Sequence, residues 1–442
     1  MHTIRLISIF TALGVALTAP VRAQSLLALY DSARGFDATY LSAKLQFEAD
    51  QFKAEQARAA ILPTVQLSLE TSTSDGDNTL LSETKRQYGT DNATLNLTQP
   101  LYRPGNWARY KQGPKQLELA QTQLLGADQD LIIRVSQGYF DVLAMQDSLT
   151  YVKAQKVAVS EQLATAKRTF EVGTATITDT REAQARFDLV LAQEIAAENE
   201  LRVKKIALDQ LVGTSDVQPR ALAQPLALPP LLPQDVGVWV LQSETEHPSV
   251  RRSRIALDVA QLETEKALAG HKPTLDLLAS YNVNNNRDGS TNITEGFRVK
   301  TGTIGLTFNL PLFAGFATQN RVRETLTLEN KARNDVEGAK RAVAQGTRTA
   351  FFGVISGVGQ VKALEAAEIS SQSSLDSNKL GYRVGERINS DVLNAQSQLF
   401  QTKRDLAKAR YDVLLGGLKL RQANGTLRVE DLLAVNSLLN NL

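Results

Sequence analysis

The chain has 442 residues, enough for two or three ordinary domains, and no cysteine, which excludes a disulfide framework and an N-terminal lipid carried on cysteine. Its 49 basic and 47 acidic residues nearly cancel, so no charge imbalance points to nucleic acid as a partner. His2, His247 and His271 are widely separated and no metal-ligand or nucleophile spacing accompanies them, so no metal, cofactor or enzymatic activity is expected.

Residues 1–23 read as a secretory signal peptide. Arg5 precedes a short apolar run from Leu6 to Ala19, and Val21 and Ala23 supply small residues for cleavage before Gln24. The run is shorter than the ~20 apolar residues of a spanning helix. No later stretch approaches that length, so the exported chain either stays soluble or enters a membrane as a closed β-barrel.

A helical segment is expected over 24–64 and two strands over 65–102. In the first strand Val65, Leu67 and Leu69 alternate with Gln66, Ser68 and Glu70; in the second Ala93, Leu95 and Leu97 alternate with Thr94, Asn96 and Thr98. Period-two alternation describes strands with one apolar and one polar face. A polar loop is expected between them, from Thr71 to about Asp91. Residues 103–213 read as helical. From about Gly105 to Phe170, Val135, Val142, Leu149, Leu163 and Phe170 follow a seven-residue spacing broken only at Lys156, with Met145, Val152, Val159 and Ala166 in the row three positions on, which is a coiled-coil seam. The Gly113-Pro114 pair is expected to kink this helix. Val172-Gly173 begins a break, and Thr178 or Asp179 is expected to cap the returning helix.

A Pro- and Leu-rich linker follows over 214–250, then a helix over 251–273. Strands are expected again over 274–313, from the alternations Leu275, Leu277, Ala279 and Ile304, Leu306, Phe308, with a polar loop from Asn282 to Lys300. A second helical part covers 314–425, where Val392, Leu399, Leu406, Val413 and Leu420 lie seven apart. The linker and the tail, 426–442, are expected to pack around the middle of the helices.

The second half repeats the first. Tyr139-Phe140 answers Phe351-Phe352, Val172-Gly173 answers Val384-Gly385 and Gly213 answers Gly425, all at one constant spacing, so the chain is an internal duplication. The four amphipathic strands are too few to close a barrel, and open edges in lipid would leave backbone groups unpaired at several kcal/mol each. Several chains must share the barrel: two would give eight strands and three would give twelve.

Gly381-Tyr382-Arg383-Val384-Gly385, Asp391-Val392-Leu393-Asn394-Ala395, Gly425-Thr426-Leu427 and Asp431-Leu432-Leu433-Ala434, with Phe170-Glu171-Val172-Gly173 and Ile177-Thr178-Asp179 in the first copy, form a pattern that resembles the TolC family of outer-membrane efflux and secretion channels. It implies a mixed α+β membrane protein: a homotrimer with a twelve-stranded outer-membrane barrel, continued by an α-helical coiled-coil barrel in the periplasm. It also implies a Gram-negative outer-membrane location, contact with outer-membrane lipid, and function with a periplasmic adaptor and an inner-membrane transporter of the ABC or RND type. The implied role is type I protein secretion, multidrug efflux or both; the competing class is a poreless periplasmic coiled coil.

By motif position the resemblance implies a gate latch of Thr178 and Asp179 with Tyr382 and Arg387. It implies an entrance constriction at Asp391 and Asn394, with Asn394 where the family places a second Asp. It implies adaptor contact through Val172, Gly173, Thr174, Val384, Gly385 and Glu386.

Overall fold

The computed structural model describes residues 24–78, 83–223, 228–290, 293 and 295–439; the expected signal peptide lies outside these. Helices α1 (Leu26–Phe36) and α2 (Ala38–Arg58) lead into strands β1 (Thr64–Asn78) and β2 (Glu83–Tyr102). Then come the long helix α3 (Pro104–Glu171) and its return α4 (Ile177–Val212). The order repeats with α5 (Val236–Glu246), α6 (Pro248–Leu268), β3 (Thr274–Asn286), β4 (Phe297–Asn309), α7 (Ala317–Val384) and α8 (Asn389–Ala423), and α9 (Val429–Asn436) closes the chain. The two copies match element by element: α2 and α6 each have 21 residues, and α3 and α7 each have 68. At 1.5 Å per residue each long helix spans about 100 Å.

Helix α3 runs on through Pro114 without a break. Pro114 falls within the first three turns, and Gly113 beside it lets α2 approach so closely that a Cβ there would lie 2.9 Å from the Ala54 carbonyl oxygen. Packing against α2 thus supports the helix where Pro114 removes a hydrogen bond. The strands also run further than the alternation of apolar residues. β1 reaches Asn78, β2 begins at Glu83, β3 reaches Asn286 and β4 begins at Phe297, so most of the first expected polar loop and both ends of the second are paired strand. Ladder hydrogen bonding does not require an apolar face, and the Ser- and Thr-rich stretch Thr71–Ser74 has the side chains to extend it.

The strands form one antiparallel sheet in the order β1-β2-β3-β4. Its register aligns Val65, Leu97, Ala279 and Ile304 in one lateral row and Leu67, Leu95, Tyr281 and Gly302 in the next. Gln66, Asn96, Ser280 and Thr303 make a row on the other face. One face of the sheet is therefore apolar and the other polar, and the apolar face is uncovered: Ile304 is 76% exposed. Where β2 turns into α3, Arg103 Nε donates to Asp276 Oδ1 on β3 at 2.7 Å, with Nη2 on the second oxygen, which ties the sheet to the helices.

The largest core lies where the helices are girdled by the linker and tail. Leu26, Leu29 and Tyr30 of α1 pack there with Leu131, Ile132, Val135, Tyr139 and Phe140 of α3, Leu414 and Leu418 of α8 and Leu432 of α9. Bridges Gln24–Pro219 and Leu222–Leu439 wrap linker and tail around it, and Trp239 of α5 packs on Phe351 and Val354 of α7. The closing glycines fit no other residue: a Cβ at Gly213 would overlap the Phe36 ring, and one at Gly425 would lie 2.4 Å from His247 Cα.

Between α1 and α2, the Asp37 carboxylate accepts from the Tyr40 backbone N–H at 2.7 Å and from Arg134 Nη1 and Nη2, each at 2.8 Å. The Arg134 hydrogen bonds, assisted by the backbone bonds, outweigh burial and hold this carboxyl below its ordinary range. Its contribution is complete at neutral pH and is lost as pH falls from the ordinary carboxylate value of about 4 through the lowered one. Asp37→Asn should cost about 1.5–3 kcal/mol at pH 7, and thermal melts should show its deficit against the parent closing as the pH is lowered.

Candidate functional site

The ends of the two helical hairpins, farthest from the sheet, bring together the residues singled out in both copies. Each outgoing helix stops with the same hydrogen bonds. Gly173 N–H donates to Phe170 O at 2.9 Å and Thr174 N–H to Thr169 O at 2.9 Å; Gly385 N–H donates to Tyr382 O at 3.2 Å and Glu386 N–H to Gly381 O at 2.9 Å. This is the glycine-centred C-terminal motif, and Gly173 and Gly385 hold the positive φ it requires, +76° and +83°. It leaves Val172 73% and Val384 64% exposed at the tips, with Ile177 and Ile388 also exposed beside them.

Thr176, rather than Thr178 or Asp179, caps α4. Its hydroxyl accepts from the Asp179 N–H at 3.2 Å, and Asp179 Oδ2 accepts from the Thr176 N–H at 3.0 Å in return. The reason is the reach of a capping box, in which the cap and the acid stand three residues apart. Thr178 is exposed. Within the chain Arg387 approaches Asp391, at 3.9 Å, and forms no ion pair with Asp179. Its aliphatic stem lies over Gly381, where a Cβ would meet Arg387 Cγ at 2.6 Å. Tyr382 packs against Leu375, Val392 and Leu399 inside its own hairpin. Asp391 stands in the first turn of α8, next to the positive end of the helix dipole. Asn394 Oδ1 accepts from Arg186 Nη2 of α4 at 2.8 Å.

A link between the hairpins comes from a residue that periodicity passes over. Asn389 is 1% exposed. Its Oδ1 accepts from Gln162 Nε2 of α3, and its Nδ2 donates to the Asp179 carbonyl at 3.3 Å. Asn389 and Gln396, both buried, stand seven apart and form a polar stripe beside the Val392 row. That spacing is the sequence signal, invisible when only apolar residues are traced.

The two kinds of helix contact differ in chemistry. Inside the hairpins the contacts are apolar: Val152, Val159, Leu163 and Ala166 meet Ala183 and Val190 in one, and Val361 meets Leu406, Ala409 and Val413 in the other. The seam between α4 and α8 is mixed: Leu393 joins Ala183 and Val190 of α4 in an apolar cluster, and beside it the contact is mostly polar. Gln155, Arg186, Gln193, Asn394, Ser397 and Arg404 line a cavity of about 380 Å³, and Gln193 Oε1, Gln396 Oε1 and Ser397 Oγ have no hydrogen-bond partner within the chain. Near the tips, parting this contact exposes less apolar surface than parting either hairpin would, while toward the girdle α3 and α8 share an apolar core.

Among the described residues no helix is long and apolar enough to cross a membrane. Aromatic residues Tyr102, Trp107, Phe313 and Phe316 are exposed where sheet meets helices, as at a membrane boundary.

A sequence model of the family described as "Outer membrane efflux protein" matches residues 29–214 and again 239–426, the same two copies seen in the fold. The chain is 33% identical to outer membrane protein TolC of Vibrio cholerae over 426 residues, 96% of each chain. It is 31% identical to alkaline protease secretion protein AprF of Pseudomonas aeruginosa, covering 96% of this chain and 89% of that one. Among solved structures, the Campylobacter jejuni CmeC outer membrane channel superposes with a TM-score of 0.78 at 17% identity, covering 99% of this chain and 97% of that one. Vibrio cholerae VceC gives 0.75 at 18%, covering 90% and 96%; both likenesses are of fold. With its duplicated helical hairpins and one-faced apolar sheet, the chain belongs to the outer membrane efflux protein family and is an outer-membrane protein of the TolC kind.

Proposed function

We propose that three copies of the chain pair β1 of one with β4 of the next, closing a twelve-stranded barrel whose bore continues into a tunnel lined by the long helices. The observation that carries this reading is the four-stranded sheet with one apolar face and two unpaired edges. An eight-stranded barrel of two chains would be filled by its own side chains, whereas twelve strands leave a passage. The chain then serves as the exit duct for secreted proteins or expelled small molecules. A periplasmic adaptor meets the tips at Val172, Gly173, Thr174, Val384, Gly385 and Glu386, and an inner-membrane ABC or RND-type transporter supplies the energy and selects the cargo. A poreless coiled coil would have no use for the sheet.

The gate of this duct is the tip of the inner hairpin, α7–α8. Asp179 keeps Oδ1 outside the Thr176 box, available to Arg387 of an adjacent chain, with Thr178 and Tyr382 alongside. Asp391, brought to the threefold axis from each chain, forms the acidic ring. Asn394 contributes less to it, because its amide is engaged by Arg186.

Planar bilayer recordings of the purified protein test this directly. Cation-preferring pores are expected. Arg387→Ser should raise single-channel conductance, and Asp391→Asn should reduce cation preference, since converging carboxylates concentrate cations in a narrow pore. Asn394→Asp should change selectivity less than Asp391→Asn does, because Arg186 offsets the added charge. A protein that inserts and conducts no ions is the poreless stalk.

A further inference from the structure

The apolar face of the sheet ends in cations on the side away from the helices. On β4, Lys300 and Arg298 share the face of Ile304, Leu306 and Phe308, because residues two apart point the same way. The register sets Lys300 level with Val283, Ala93 and Leu69, and sets Arg298 level with Asn285, Asp91 and Thr71. Next to them Arg287 reaches Thr71 Oγ1 and Asp91, each at 3.3 Å. It lies across Gly89, where a Cβ would come within 3.1 Å of its guanidinium. Arg287 and Asp91 therefore neutralise one another. Arg298 and Lys300 are exposed and form no ion pair among the described residues. Asp288, whose Oδ2 accepts from the Gly89 N–H at 3.1 Å, lies beside Arg287, and Asp75 lies two rows beyond Thr71 and farther from the apolar band.

Height along the strand places these cations. From Leu310 to Lys300 the chain climbs about 23 Å at roughly 3.3 Å per residue and a 45° tilt, close to the ~25 Å apolar band of an outer-membrane barrel. One boundary of the band carries Tyr102, Trp107, Phe313 and Phe316, and the other carries Lys300 and Arg298. Aromatic rings suit a neutral or zwitterionic interface, whereas an Arg fork beside a Lys point charge suits phosphate oxygens.

We infer that Arg298 and Lys300 form a lipid-facing site for the phosphate groups of a phosphorylated glycolipid in the outer leaflet, with Arg287 held beside it by Asp91 and Thr71. The inference rests on the barrel reading above, since only a closed barrel turns this face toward lipid.

The test uses the full-length protein purified in detergent and titrated with bis-phosphorylated lipid A, dephosphorylated lipid A and inorganic phosphate as separate probes. Phosphorylated lipid A should bind more tightly than the dephosphorylated form. The double variant Arg298→Gln/Lys300→Gln should lose about 30-fold in affinity for the phosphorylated form, from about fivefold per basic side chain at an anionic surface. The pair Lys300→Val with Val299→Lys keeps the net charge and moves it to the opposite face, and it should lose about fivefold. Equal binding of the two lipids, an unchanged double variant, or competition by millimolar inorganic phosphate would each overturn the site, the last because it would mark a simple ion site. Light scattering and bilayer conductance on the same samples separate the two readings. A non-conducting monomer overturns the barrel, and a conducting trimer without phosphate preference overturns this site alone.

Discussion

Ile304→Arg should abolish assembly of the protein in the outer membrane, although in a single chain this position touches almost nothing. With 76% of its surface exposed, Ile304 on a soluble protein would tolerate the change to within about 0.5 kcal/mol. In the barrel it occupies the central row of the apolar band, midway between Phe308 and Lys300. An arginine at the bilayer midplane costs roughly 2–4 kcal/mol, and three chains would carry it together. Thr303→Arg, one residue away on the polar face, should be tolerated and should alter ion selectivity instead. Membrane fractionation followed by detergent-resistant trimer analysis distinguishes them. Equal assembly of both variants would mean that the sheet does not face lipid.

Asn389→Leu should hold the entrance open. Leucine keeps the volume but removes both hydrogen bonds, leaving the part-buried Gln162 amide without its partner and the Asp179 carbonyl with its intrahelical partner alone. An unsatisfied buried polar group costs about 1–3 kcal/mol. Because that cost applies only to the closed arrangement, the closed state should lose roughly 5- to 150-fold in population per chain. Conductance should rise, and cells carrying the variant should become sensitive to large antibiotics. Asp179→Ala separates the contributions, since it removes the carboxylate that boxes Thr176 and retains the carbonyl that Asn389 uses. A conductance unchanged from the parent in Asn389→Leu would show that this buried amide does not hold the gate.

Much of this architecture was legible in residue spacing. The constant interval between Val172-Gly173 and Val384-Gly385 disclosed the duplication. The seven-residue rows through Val142 and Val159 and through Val392 and Leu406 marked seams that are buried in the structure. What escaped detection was polar. The outer halves of β1 to β4 lack apolar alternation, so strands held by backbone pairing read as loops. Asn389 and Gln162 were passed over because α8 packs on its own hairpin partner and also on α3 and α4, and the second contact is made with amides. Thr176, rather than Thr178 or Asp179, takes the cap because a capping box is fixed by the three-residue distance to Asp179. The site residues taken from family resemblance lie at the hairpin tips, while the latch and ring roles proposed for them rest on neighbouring chains.

The central claim is that β1 and β4 meet between chains, and the absence of cysteine makes it directly measurable. Single cysteines placed along β1 from Thr64 to Leu69 and along β4 from Thr303 to Asn309 can be combined in pairs, oxidised in the outer membrane and resolved without reductant. The account predicts that one register of pairs yields covalently linked trimers that still conduct ions in bilayers. Cross-links confined within single chains, or no cross-link at any register, would contradict it.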